Sequence, residues 1–229
     1  MQPMAATSDP RTRKGESTRK KILESALRLF RERGYDRTTM RLIASDAGVS
    51  LGNAYYYFAS KDHMIHAYYE RSHAEHLAAS ESVLEAERDL ERRLCEVLRF
   101  KISTSEPYHS FATQLFKTAA DPASPLSPFS DESLPVRRQS TELMRRIVEG
   151  SSTRIAGELG ERLPELLWTY QMGIILYWIH DDSPGHARTY RLIEHTSALV
   201  ARLIKISRLP PLRPLVRHSL QLLDELRRA

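Results

Sequence analysis

An all-α fold is predicted by three observations. Apolar residues recur at spacings of three and four along most of the 229-residue chain. Charged residues make up 28% of it, while glycine is held to nine. No stretch of alternating β-branched residues reads as a strand.

Taken in order, residues 1–16 are polar and rich in Arg, Lys, Thr and Pro, and are expected to form a flexible basic arm. Arg11, Arg13 and Lys14 would be free to reach a minor groove from it. A first helix is expected over about 18–33, with Ile22, Ala26, Leu29 and Phe30 facing inward and Tyr35 closing a small core. The stretch from about 39 to 58 reads as two short helices around a tight turn. Thr39 is a good N-cap, and Met40, Ile43, Ala44 and Ala47 share one face. Gly48 stands where a left-handed residue ends a helix, and Ser50 caps the next one. Helix, glycine turn and capped second helix form the helix-turn-helix pattern, whose second helix enters the major groove of DNA.

A fourth helix is expected from Lys61 to about 80, a fifth over 88–104 and a sixth over 107–120. Pro122, Pro125 and Pro128 then force a loop. Helix is expected again over 135–158, with Gly160 and Pro164 marking the next boundary. The last strong pair covers 164–181 and 185–207. The first of these is apolar nearly all round, so it needs cover on both sides. After a Pro-rich break at 210–214, residues 213–228 read as one more amphipathic helix, whose docking site the sequence does not indicate.

Charge is distributed unevenly. Residues 1–62 hold 12 Lys and Arg against 7 Asp and Glu, whereas the rest holds 22 of each. The cationic excess therefore falls on the helix-turn-helix segment, as a nucleic-acid-binding surface requires. A single cysteine, Cys95, excludes an intrachain disulfide and reads as a small core residue in a reducing compartment. No secretory signal is visible, and the apolar run Leu166 to Ile179 is shorter than the roughly 20 residues of a bilayer span. A soluble cytoplasmic protein with no membrane partner is expected.

The segment TRKKILESALRLFRERGYDRTTMRLIASDAGVSLGNAYYYFASKDHM resembles the DNA-binding domain of the tetracycline-repressor (TetR) family of transcriptional regulators over about residues 17–66. The resemblance implies a three-helix DNA-binding domain at 17–60 and a larger helical regulatory and dimerisation domain at 61–229. Leu51, Gly52 and Asn53 begin the second helix of the motif and should face the groove floor. Asn can pair with adenine, Leu51 can lie against a thymine methyl, and Gly52 permits close approach. The resemblance further implies phosphate contacts for Tyr55 and Lys61, a backbone-side place for Tyr57, for which a core place is the alternative, and a base-edge contact for Arg41. Tyr56 is expected at bases or sugar, and Thr39 and Ser50 complete the set expected at DNA. Asn53 and Ala54 depart from the Thr and Leu common in the family, which bears on the target sequence.

A ligand-responsive regulator, most simply a repressor, is expected. It would bind a pseudo-palindromic operator in double-stranded DNA as a homodimer through about 164–207, and a small apolar or aromatic molecule would release it. Candidate pocket residues are His109, Phe111, Gln114, Phe116, Trp168, Met172, Tyr177 and Trp178. No catalytic residue and no cofactor is expected, since GxxxxGK[ST], HExxH, CxxC and GxSxG are all missing. His180-Asp181-Asp182 reads as capping. A metal-responsive regulator is the alternative, through His63, His66, His73 and His76 of the fourth helix, although no further ligand is set by spacing.

Overall fold

The computed structural model describes residues 10–121, 123–155 and 157–207, with isolated positions beyond; the side chains of residues 10–13, Gln114 and Lys117 fall outside the description. The arm at 1–9 lies outside the described residues, as does the helix expected at 213–228 apart from Pro214, Arg217, His218, Gln221 and Glu225, which are helical. Among the described residues nine α-helices and no strand occur: α1 Pro10–Arg33, α2 Met40–Asp46, α3 Leu51–Tyr57, α4 Lys61–Ala86, α5 Leu90–Ser105, α6 His109–Ala119, α7 Leu134–Glu149, α8 Glu158–Ile179 and α9 Ala187–Ser207. None of them is long and apolar enough to cross a membrane.

The chain divides into two compact units. One comprises the residues up to Arg71 together with Ser110–Ser133, the other Ser72–His109 with the residues from Leu134 onward. The boundary expected at 60/61 thus falls inside the first unit. The reason lies in α6. Phe111 is fully buried, stacked on Phe30 at 5.6 Å and edge-on to Tyr68 at 5.5 Å. Leu126 is buried too, and its carbonyl accepts from the Tyr69 hydroxyl at 3.2 Å. This core also includes Ile22, Ala26, Leu27, Ile43, Ala54, Phe58, Met64 and Ile65.

Four helix ends differ from expectation, the first being that of α4, which runs to Ala86 rather than about 80. Helix α1 starts at Pro10, so residues 10–16 of the expected arm are helical; proline suits a first turn, whose N–H groups have no partner in any case. Helix α7 stops at Glu149 rather than near 158. There the buried Arg93 guanidinium donates to the carbonyls of Ile147 and Arg146 at the end of α7, and of Leu84 and Glu87 at the end of α4, at 2.6–2.9 Å. One cation therefore serves two helix C-termini, where free carbonyls and the helix dipole both favour positive charge. Gly150 leaves room for it, since a Cβ there would stand 2.2 Å from Arg93 Nη2. Helix α8 begins at Glu158, six residues before Pro164, with Glu158 and Glu161 complementing its first turn.

In the second unit α5 packs on α7, α8 and α9, and the buried residues are Leu90, Leu94, Val97, Leu98 and Ile102 on α5, Met144 and Ile147 on α7, Leu167, Trp168 and Trp178 on α8, and Ile193 and Ala201 on α9, among others. Asp181 caps α9, accepting from the Thr189 N–H at 2.8 Å and hydroxyl at 2.7 Å. Burial opposes its charge, but hydrogen bonds from Ser183 and Thr189 hold the carboxyl well below the usual range.

Candidate nucleic-acid interface

The motif is built from its caps inward. The Thr39 hydroxyl accepts from Leu42 N at 3.3 Å and the Ser50 hydroxyl from Asn53 N at 3.1 Å. Gly48, at φ +67°, turns the chain between the two helices, and Val49 N then donates to Ala44 O at 3.0 Å. Thr38, fully buried, ties the preceding loop down by donating to Gly34 O at 2.8 Å. Arg28 pairs with Asp46 at the end of α2. A hydrogen bond from Ser25, with that of Arg28 behind it, holds the Asp46 carboxyl below normal.

Helix α3 has a single buried residue, Ala54, and is followed by the buried Phe58. Two turns anchored at one point leave the remaining face in water. Leu51, Gly52 and Asn53 are exposed, Tyr55 is 50% exposed and Tyr56 80%. Thr39, Ser50 and Arg41 are exposed as well. Eight of the ten residues expected at DNA therefore lie on open surface, on α2, α3 and their N-caps.

The other two are partly turned in. Tyr57 is half-buried, its hydroxyl only 3.6 Å from where a Cβ on Gly15 of α1 would stand, and its ring meets Tyr56 edge-on at 5.1 Å. The Lys61 ammonium donates to Tyr35 O at 2.7 Å and sits 4.1 Å from the centre of the Tyr35 ring, while burial lowers its pKa. The Tyr35 hydroxyl in turn bonds Asp62. Lys61 thus fastens the loop before α2 to the start of α4. Lys14, Arg19, Lys20 and Lys21 are exposed on α1, with the Arg19 guanidinium 4.9 Å from the Phe58 ring centre.

The eight pocket candidates fall into both units. Phe111, Gln114 and Phe116 belong to the first; His109, Trp168, Met172, Tyr177 and Trp178 belong to the second. Phe111 is core, and Tyr177 is 42% exposed. In the second unit His109 Nε2 lies 2.9 Å from Trp178 O, and its ring is 4.1 Å from that of His186, which pairs with Glu106 at 2.7 Å. Trp178 Nε1 and Gln171 Oε1 are buried without a hydrogen-bond partner. Gln171 escaped the sequence reading because it sits in an apolar run with nothing to mark it as polar lining.

The histidines of α4 turn to separate partners: His63 to Ser60, His73 to Ser140 and His76 to Val97 O at 2.8 Å. His66 has both ring nitrogens buried and unbonded. No group of three or more His, Cys, Asp or Glu that could hold a metal occurs among the described residues. The metal-responsive alternative thus finds no support.

An exposed, capped α3 on a basic all-helical unit defines a helix-turn-helix DNA-binding protein. Family models agree. Residues 22–68 match "Bacterial regulatory proteins, tetR family", and residues 93–222 match "Tetracyclin repressor-like, C-terminal domain". The chain belongs to the TetR family of transcriptional regulators. It is 47% identical over 49 residues to the HTH-type transcriptional repressor KstR2 of Mycobacterium tuberculosis, a match covering 21% of this chain and 24% of that protein. A putative TetR-family regulator from Syntrophomonas wolfei has the same fold, with a TM-score of 0.64 at 18% identity over 81% of this chain and 95% of that one. So does FadR of Thermus thermophilus, a TetR-family repressor solved with lauroyl-CoA, with a TM-score of 0.58 at 20% identity over 80% and 92%.

Proposed function

We propose that this chain is a ligand-responsive repressor that binds a pseudo-palindromic operator as a homodimer and is released by a small molecule. The observation that carries the reading is the start of α3, where a groove-sized helix presents Leu51, Gly52, Asn53, Tyr55 and Tyr56 to water with its N-terminus capped from within. Arg41 and Asn53 would read base edges, while Tyr55 and the basic face of α1 would hold phosphates. The division of labour expected from the sequence, reading by residues 17–60 and regulation by 61–229, belongs to this proposal.

Dimerisation is supported by α8 and α9. Leu176 and Tyr177 are 43% and 42% exposed, and Leu199, Leu203 and Ile206 form an exposed apolar stripe at 47–56%. An apolar face of this kind on two adjacent helices suits the same face of a second copy, giving a four-helix interface. A small-molecule effector is supported by the unmet polar atoms of Gln171 and Trp178, which stand about 10 Å apart along α8. FadR, with its lauroyl-CoA, shows a relative of this fold that takes a small molecule. Such a regulator works in the cytoplasm.

Selection of bound fragments from random duplex DNA tests the reading. Enrichment of an inverted repeat, with half-sites about one helical turn or a multiple apart, is the expected result. Enrichment of nothing above the starting pool overturns it.

A further inference from the structure

Lys101 of α5 is part-buried, and its ammonium donates to Ser72 Oγ of α4 at 3.0 Å. No carboxylate is bonded to it among the described residues. The nearest elements add imidazole and hydroxyl rather than negative charge. His73 of α4 is buried, with Nδ1 3.3 Å from Ser140 Oγ of α7. His76, one turn on, is buried against Val97 O. Glu75, exposed on α4, is the acidic group whose field favours the ammonium. Burial brings Lys101 down to about 8, and burial with the Lys101 charge brings His73 down and His76 to about 3. The cluster is thus one cation, two neutral imidazoles and two hydroxyls, on three helices of the same unit.

A cation partly withdrawn from water, with no carboxylate bonded to it and only the exposed Glu75 in its field, stays under-compensated unless something arrives to balance it. The charge wanted is one. A carboxylate closes the balance, whereas a phosphate dianion leaves an excess that imidazoles held neutral do not offset. The Ser72 hydroxyl, whose oxygen already accepts from Lys101, keeps its own proton to donate. The helices that carry the cluster also bury Leu98 and Ile102 on α5 and Leu143 and Met144 on α7, so an apolar body suits a guest held between them.

We propose that Lys101, Ser72 and His73 form the seat for the carboxylate of an apolar acid, which rests on the effector reading above and gives that effector its chemical class.

Calorimetric titration of the full chain with decanoate and benzoate, each beside its neutral counterpart (decanol, benzyl alcohol) and beside inorganic phosphate, tests it. At least one acid is expected to bind about tenfold or more tightly than its neutral counterpart, with phosphate failing to compete. Lys101→Met, checked for folding by circular dichroism, should erase that preference. A readout on the unaltered protein guards against a variant that does not fold. Binding should draw in protons at about pH 9, where Lys101 is mostly neutral, and fewer at about pH 7. Equal affinity for acids and neutral molecules, a preference that survives Lys101→Met, tighter binding of phosphate, or no extra proton uptake at the higher pH would each overturn the seat. Acid binding that leaves operator affinity unchanged supports the seat while removing the effector reading. Operator release by neutral compounds alone, with no acid bound, overturns the seat and leaves that reading standing.

Discussion

Asn53 and Tyr55 lie two residues apart on α3, both in water, and chemistry gives them different tasks. An amide can pair with both adenine N6 and N7, a bidentate match no other base offers, whereas a phenol hydroxyl bonds a phosphate oxygen on any sequence. Asn53→Ala should therefore weaken binding to the selected operator by about 1–3 kcal/mol and leave random DNA nearly unaffected. Tyr55→Phe should weaken both alike. Fluorescence anisotropy on the two DNAs separates these outcomes. Neither change should unsettle the fold, because the cap on Asn53 engages its backbone N–H and Tyr55 is half exposed. His76 is the opposite kind of residue, 1% exposed and with its pKa lowered to about 3 by burial first and the Lys101 charge second. The unfolded chain takes up a proton near the ordinary imidazole value of about 6.5 while the folded one does not. Stability is thus full above about 6.5 and falls as pH drops toward 3, by up to about 1.4 kcal/mol per pH unit for this group. Urea unfolding at neutral and mildly acidic pH should show the loss, and His76→Gln should flatten it. The lowered values of His66 and His73 add slope of the same sign.

Among the elements, the short ones were the most legible. Thr39, Gly48 and Ser50 fixed α2 and α3 because caps and a positive φ are local demands that the chain meets with local residues. The long helices agree with expectation in their middles and at several ends, such as the start of α4 at Lys61 and the end of α9 at Ser207, and differ at others. The end of α7 depends on a guanidinium 53–54 residues away in sequence, and no pattern within 135–158 announces Arg93. The start of α8 was misplaced for a related reason, since Pro164 suggested a first turn that the chain had already begun at Glu158. The pair α8 and α9 shows what periodicity does carry. Leu199, Leu203 and Ile206 recur at four and three on the side of α9 away from Ile193, Ala201 and Ile204. This helix thus has an apolar stripe beyond the one its own unit uses. Leu203→Glu places a charge in that second stripe without touching the buried one. It should turn a dimer into a monomer in analytical ultracentrifugation while helical content stays unchanged; a dimer of undiminished strength would remove α9 from the interface.

For the molecule as a whole, position along the chain decided how much could be read. The first 66 residues carry a surface for a ligand that never varies, duplex DNA, so the residue types there follow from the geometry of a groove and a phosphate. The second unit has no such fixed partner. Its polar atoms, Gln171, Trp178, Lys101 and Ser72, are scattered over α4, α5 and α8, and the contact of Lys101 with Ser72 exists only in the fold. The two regions are nonetheless tied by thermodynamics. If an effector lowers operator affinity by some factor, the operator must lower effector affinity by the same factor. Salt offers a way to measure that coupling. Each phosphate contact adds about −0.9 to the slope of log K against log salt concentration, so a dimer making several contacts loses affinity steeply as salt rises. An effector of the proposed kind should shift this line downward. A shift at constant slope means that the DNA-competent state is less populated but makes the same contacts; a slope closer to zero means that contacts have been lost within the complex. Anisotropy titrations over a range of salt, with and without effector, distinguish the two. A population shift predicts parallel lines, with an offset matching the affinity change that the operator imposes on the effector.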